Sequence, residues 1–307
     1  MAPESAAGVC RWTTQSQAVA AFAGFSGMTE SGGQIKPLHW YVACRLVVEG
    51  GFHPDDVTPR PPFQIQVRRG MPHLSYEPET GGAGERTVLG GLKTKNVDVV
   101  VTRDGIGPVL AVSCKGVTGA FRNLTNRMEE TIGECTNLHI TYPALVLGYL
   151  VLLRANLATE VRLQAVETAG EQSQEPEQAR TLTANDIAIN EDGTPAASIV
   201  RFHSALREMV GRRGIRNDIS RYEAMAIGLA DMGAHNRGSL FPAYPPTDSP
   251  LRVDRFFETL YTQYDQRFVT SAPGLEFTTR RLEWAPESQA VQALSGRDYP
   301  IRLAADT

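Results

Sequence analysis

Two short stretches of the 307-residue chain carry side chains that could do chemistry together. Asp98 lies near the start of NVDVVVT (residues 96–102), and Ser113-Cys114-Lys115 closes PVLAVSCKG (residues 108–116). Both runs read as buried or half-buried strands, and the connector RDGIG, with Asp104-Gly105 at its centre, is a hairpin signal. A hairpin of this kind sets a carboxylate and an ammonium side by side at strand ends, where the apolar core stops. Such a pair suits metal-assisted hydrolysis of a phosphodiester. The carboxylate holds Mg²⁺ through oxygen, the lysine orients or helps deprotonate the attacking water, and the cation stabilises charge on the phosphorus and the leaving oxygen. Taken alone, a D-x(n)-S-x-K pattern arises by chance in many proteins, and a strand-end lysine is ordinarily a solvated charge. The elements around the pair decide what it is worth.

Upstream, Pro37 can occupy a first helical turn, and Ile35, Leu38, Tyr41, Leu46 and Val47 recur at helical spacing until Gly50-Gly51 stops the helix. PFQIQVRRG (residues 62–70) and a Gly-rich turn follow. After Lys115 the period becomes helical again: Phe121, Leu124, Met128, Ile132 and Cys135 share one side at about 100° per residue, and the helix is expected to end near residues 137–139. ALVLGYLVLL (residues 144–153) then reads as a buried strand. The order is helix, three strands, helix, strand. The fold class this predicts is α/β (α+β): a mixed central β-sheet flanked by helices.

This order, with D…S-x-K at the hairpin, resembles the PD-(D/E)xK nuclease superfamily, which includes most type II restriction endonucleases. The resemblance covers residues 33–155. Asn96-Val97-Asp98 stands where Pro-Asp would, and Ser113 stands where a second acidic ligand is expected, although serine is a poor Mg²⁺ ligand. A variant of the family places S-x-K before a glutamate that comes about fourteen residues later, on the next helix. Here that residue is Glu129. Counting about 100° per residue from Phe121 puts Glu129 about 80° round, on the flank of the apolar stripe, with Glu130 opposite and Glu134 on the far side. The resemblance implies a restriction-endonuclease-like core with Asp98, Lys115 and Glu129 as catalytic residues and Ser113 beside them. It implies Mg²⁺ on Asp98 and Glu129, with the backbone carbonyl of Cys114 in reach. Glu49, at the end of the first long helix, is either a further carboxylate near the metal or a solvent-facing residue before the Gly-Gly stop. The implied reaction is site-specific cleavage of double-stranded DNA to 5′-phosphate and 3′-hydroxyl ends, as in restriction-modification. A non-specific repair or phage-defence nuclease and an inactive DNA-binding module are the alternatives.

DNA binding requires local positive charge, because the whole chain has a formal charge of −4. Six arginines between residues 201 and 221, among them Arg212, Arg213 and Arg216, face only Glu208 and Asp218. They form either a phosphate-contacting surface or a helix face laced with ion pairs. Arg68-Arg69, Lys93 and Lys95 flank the hairpin and could contact backbone near the cut, or could be solvated charges. Arg122 could meet a phosphate or pair with Glu129. The loop at residues 233–244 mixes Asn, Arg, His and aromatics as base-edge readers do. Cutting both strands of a two-fold site suits a homodimer, and residues 253–268, an amphipathic helix with an aromatic face, are the candidate dimer element.

Composition excludes other classes. At 42% hydrophobic and 21% charged residues the chain is a globular protein. The six histidines form no H-x-x-x-H or HNH-like grouping, and no P-loop occurs. The four cysteines have no C-x-x-C spacing, which fits a reduced cytoplasmic setting. The longest apolar run is about half a membrane span, and no secretory signal is expected at the N-terminus. Along the chain, residues 1–32 read as an arm or short helix, 33–158 as the core, and 159–197 as an exposed polar insertion. Residues 198–307 read as a mostly helical part packed on the core, with helices expected at 199–210, 222–232 and 253–268.

Overall fold

A computed structural model describes residues 8–26, 33–162, 182–293 and 299–305. The strands are β1 (Val57–Thr58), the hairpin β2 (Phe63–Arg68) and β3 (Met71–Tyr76), the pair β4 (Arg86–Val88) and β5 (Lys95–Val97), then β6 (Val99–Arg103), β7 (Gly107–Val117), β8 (Val146–Arg154) and β9 (Ala224–Ala230). Five of them form one mixed sheet in the order β1-β6-β7-β8-β9. β1, β6 and β7 run antiparallel, whereas β7, β8 and β9 are parallel. The fold is therefore α/β, as expected. The Asp104-Gly105 turn joins β6 to β7, with Gly105 at φ 72° and a register shift at Val101/Thr102.

Two helical layers cover the sheet. On one face α1 (Gln15–Gly24), α2 (Lys36–Val48) and α5 (Val253–Tyr264) pack Phe22, Leu38, Tyr41, Phe256 and Leu260 against Val99, Val101, Leu110, Val112 and Cys114. On the other, α3 (Leu124–Thr141) and α4 (Ala197–Met209) pack Leu124, Cys135, Leu138, Ile199 and Phe202 against Val100, Ala111, Tyr149 and Val151. Alternate residues of β6 and β7 thus feed opposite cores, as the pleat requires. With helices on both faces, the strand positions between them must be apolar on both sides, which is why β8 is a near-continuous apolar run.

The close approach of α5 to the sheet depends on Gly148. A Cβ there would stand 2.8 Å from Phe256 Cζ and 3.2 Å from Leu260 Cδ2. Gly148→Ala is expected to destabilise the protein by roughly 1–3 kcal/mol through overpacking, measurable as a lowered urea midpoint with unchanged slope.

Three expectations from sequence are corrected. Residues 222–232 are not helical: AMAIGLA is strand β9, buried along its whole length. A short, uniformly apolar run carries neither a 3.6 nor a 2.0 period, and placement next to β8 decides its conformation. The C-terminal part consequently supplies a strand of the central sheet rather than helices alone. Within residues 1–32, read as an arm or short helix, residues 15–24 form the short helix α1, which packs against α2 with Phe22 fully buried. The aromatic face of residues 253–268 is buried within the chain, with Phe257 edge-on to Tyr41, and the α-helix itself ends at Tyr264 before a π-helical stretch, Asp265–Thr270. It is not an open dimer surface.

Of the polar insertion, residues 163–181 lie outside the described residues. The rest of it is not simply exposed: Ala188, Ile189 and Asp186 are buried. Asp186 Oδ1 accepts the N–H of Ala120, whose left-handed backbone (φ 55°) turns the chain from β7 towards α3. Among the described residues, no helix is long and apolar enough to cross a membrane.

Candidate functional site

Pairing of β6 with β7 begins at Val99↔Val112, so Asp98 is the first residue outside that ladder and sits at a bend between β5 and β6. Its Oδ2 accepts from three neighbours on β7: the backbone N–H of Cys114 at 2.7 Å, Lys115 Nζ at 3.2 Å and Ser113 Oγ at 3.4 Å. Ser113 and Lys115 project to one face of the strand and Cys114 to the other, so three consecutive residues reach one oxygen only because the middle one uses its backbone. The structure therefore brings Asp98, Ser113 and Lys115 together as the hairpin predicts. Cys114 takes part through its backbone N–H, which donates to Asp98 Oδ2. The thiol is buried in the α2 layer, where burial and the charge of Asp98 push it well above its usual range.

The ammonium of Lys115 is half-enclosed. Burial alone would lower its pKa, but the charges of Asp98 and Glu134 and the hydrogen bond to Asp98 outweigh that and hold it above the usual lysine range. Lys115 is therefore a fixed positive charge beside Asp98 at neutral pH.

The helix-phase expectation fails. Phe121 belongs to a 3₁₀ turn, Phe121–Asn123, and α3 starts only at Leu124. A 3₁₀ turn advances about 120° per residue, so a phase counted from Phe121 at 100° is already off by most of a residue when the helix begins. The buried face of α3 runs through Leu124, Thr131, Cys135 and Leu138, while Ile132 is 41% exposed. Measured from that face, Glu129 lies about 140° round and Glu134 about 80°. Glu129 is exposed, and Glu134 is 7% exposed, with its carboxylate 3.0 Å from Lys95 Nζ. Glu129 does not stand with Asp98; Glu134 is the glutamate whose charge reaches Lys115.

Glu49 is also misplaced by the sequence reading. The end of α2 that approaches Asp98 is its first turn, and Glu49 caps the opposite end, ten residues or about 15 Å further along the axis. It pairs with the Arg45 guanidinium, which lies 4.1 Å over the Phe257 ring. The first turn presents His39 instead. His39 is 6% exposed, its Nε2 lies 3.9 Å from Asp98 Oδ1, and that nitrogen has no hydrogen-bond partner among the described residues. Burial, together with Lys115 and Lys36, lowers its pKa despite the pull of Asp98, so the ring is neutral at pH 7. Glu85, in the turn before β4, completes a group in which one ligand atom each of His39, Glu85 and Asp98 lies within 4.8 Å of the others. Desolvation and the Asp98 carboxylate push Glu85 above the usual glutamate range. Oδ2 of Asp98 is engaged by β7, and Oδ1 faces this group.

The sequence did not offer His39 or Glu85 because no short motif joins them. They come from a helix turn and a Gly-rich loop far apart in the chain.

The basic candidates divide. Arg122 is exposed at the rim of a small cleft it shares with Arg201, between the 3₁₀ turn and α4. Arg213, Arg216 and Lys93 are exposed. Lys95 is half-buried and ion-paired to Glu134, so it is not a solvated strand-end charge. Arg212 is no part of a surface: it is 1% exposed and donates to Glu223 at 2.7 Å. All four cysteines are free and buried.

No protein-family model, curated protein or solved structure matches the chain.

Proposed function

We propose that the chain is a divalent-cation-dependent endonuclease that hydrolyses double-stranded DNA at a specific site, of the PD-(D/E)xK type to which its sequence bears a resemblance. It would act in the cytoplasm as a homodimer and use Mg²⁺ or a similar ion. The observation that carries the reading is the Asp98 carboxylate, its Oδ2 held by three donors of Ser113-Cys114-Lys115 at the end of a mixed sheet and its Oδ1 turned towards His39. Glu85 supplies the second carboxylate that Ser113 cannot, so the missing acidic residue of the S-x-K stretch has a replacement from a different element.

Asp98 and Glu85 are the carboxylates suited to holding a hard divalent ion. Such an ion lowers the pKa of bound water and neutralises charge developing on a phosphodiester. Asp98 orients the site through its shared hydrogen bonds. The Lys115 ammonium, between Asp98 and Glu134, is placed to orient the attacking water and to stabilise negative charge on the non-bridging oxygens. Lys95 balances Glu134, so Glu134 orders the cations of the site instead of binding metal. The exposed Arg213, Arg216, Lys93 and Arg122 are the cations left to contact the DNA backbone.

The test is incubation of the purified protein with unmethylated plasmid and Mg²⁺ or Mn²⁺, followed by sequencing of the ends. Discrete fragments sharing one end sequence support the proposal. A smear replaces it with a non-specific nuclease of the same chemistry, and a plasmid that is shifted in a gel but uncut replaces it with a binding module. Within the same assay Glu129→Ala is expected to cut within about twofold of wild type, while Glu134→Gln slows cleavage at least about tenfold, or roughly 1.4 kcal/mol of transition-state stabilisation. The reverse ranking would return the helix glutamate ligand to Glu129.

A further inference from the structure

The site contains a nitrogen that a purely carboxylate Mg²⁺ site would not need. His39 is buried in the first turn of α2, and its Nε2 has no hydrogen-bond partner among the described residues although two carboxylates stand around it. A buried polar atom left unpaired is costly and calls for an explanation. The distance to Asp98 Oδ1, 3.9 Å, is too long for a hydrogen bond. It exceeds by about 0.5 Å the separation of two ligands on one small ion, which at bonds of about 2.1 Å is roughly 3.0–3.4 Å, so the two side chains draw together when an ion binds.

From this geometry we infer that His39 Nε2, Glu85 and Asp98 Oδ1 form a three-ligand metal site that takes a first-row transition-metal dication such as Mn²⁺ in preference to Mg²⁺. The inference rests on the proposed role of Asp98 as a metal ligand, but it does not depend on the substrate being DNA. Imidazole nitrogen binds first-row transition-metal dications, Mn²⁺ included, better than it binds Mg²⁺, which prefers oxygen and water, so one histidine among carboxylates shifts the choice of ion. His39 holds its position because the helix turn that carries it is anchored by Leu38 and Tyr41 in the core, both buried. Glu85, on an exposed loop, is the ligand that can adjust to ions of different size.

The experiment needs no nucleic acid. Binding of Mn²⁺ and of Mg²⁺ to the full chain is measured by calorimetry, and the Mn²⁺-loaded protein is examined by pulsed electron paramagnetic resonance for coupling to an imidazole nitrogen. Wild type is expected to bind Mn²⁺ at least about tenfold tighter than Mg²⁺ and to show the nitrogen coupling. His39→Gln, which keeps a side chain of similar size, should lose the coupling and most of that preference while still binding Mg²⁺. Glu85→Gln lies on the surface and does not threaten folding; it should weaken both ions. The inference is overturned if His39→Gln, folded by its melting curve, keeps the wild-type Mn²⁺ affinity, or if wild type shows no nitrogen coupling or no metal binding. An uncut plasmid beside a measured Mn²⁺ site would sink the nuclease reading and leave this one standing.

Discussion

On the proposed nuclease reading, Asp98→Asn is expected to reduce metal-dependent DNA cleavage by at least about a thousandfold, a loss of roughly 4 kcal/mol of transition-state stabilisation, with little change in the fold. Asparagine has nearly the same shape and can still accept the Cys114 N–H now received by Oδ2 at 2.7 Å, so β6 and β7 keep their register. The negative charge is what disappears. Two consequences follow in the same direction. Oδ1, the oxygen turned towards His39 and Glu85, becomes a weak ligand, and the ion is held by one carboxylate fewer. Lys115 loses the partner that holds its ammonium in place at 3.2 Å, so the remaining cation is also less well positioned. Lys115→Met should give a comparable loss for the second reason alone, because the metal ligands remain. Cleavage rates at saturating Mg²⁺ and Mn²⁺, with a melting curve for each variant, separate the two. An Asp98→Asn protein that cuts at the wild-type rate would remove the hairpin from the chemistry altogether, whatever the fold resembles.

The hairpin was legible in the sequence because every feature it needs is local. The valine runs, the Asp-Gly turn and the chemistry-bearing residues all lie within 20 positions of one another. The same locality explains the success with α2, α4 and the buried strand β8. Failure came where the deciding contact is distant. The run AMAIGLA is strand because β8 lies beside it, and nothing inside the seven residues says so. Helix α3 is legible, but a 3₁₀ turn that sequence periodicity does not reveal shifts its phase, and the shift exchanges Glu129 for Glu134 on its buried flank. His39 and Glu85 meet Asp98 from 59 and 13 positions away, through a helix turn and a glycine-rich loop. A mixed histidine-carboxylate group of this kind has no spacing to read.

Charge counting failed in a different way at Arg212, and the failure gives the largest expected effect on stability. Arg212→Ala should destabilise the protein by about 3–5 kcal/mol, lowering Tm on the order of 10 °C, whereas Arg213→Ala next to it should stay within about 0.5 kcal/mol of wild type. Arg212 is enclosed. Its guanidinium donates to Glu223 Oε1 at 2.7 Å and to the carbonyls of Pro143 at 2.9 Å and Ile215 at 3.1 Å. Glu223 is 1% exposed and also accepts from Arg267 at 2.8 Å and from the Leu147 N–H, also at 2.8 Å. Burial alone would raise the Glu223 carboxyl; the contact with His139, the charge of Arg267 and the Leu147 N–H outweigh it and hold the group below the usual glutamate range. The stabilisation is therefore complete at neutral pH and is lost only as pH falls below that range and the carboxylate is protonated. Removing Arg212 leaves a buried carboxylate without one of its two arginine partners and two carbonyls without their donor, which costs more than the pair contributes when intact. The cluster ties the entrance of β8, through Pro143 and Leu147, to the start of β9 at Glu223, so the sheet core is what loosens. Chemical unfolding of the two variants decides the matter. Equal midpoints for Arg212→Ala and Arg213→Ala would mean that Arg212 belongs to the surface after all, and weaker DNA binding with unchanged stability in Arg212→Ala would return it to the basic face from which its burial removes it.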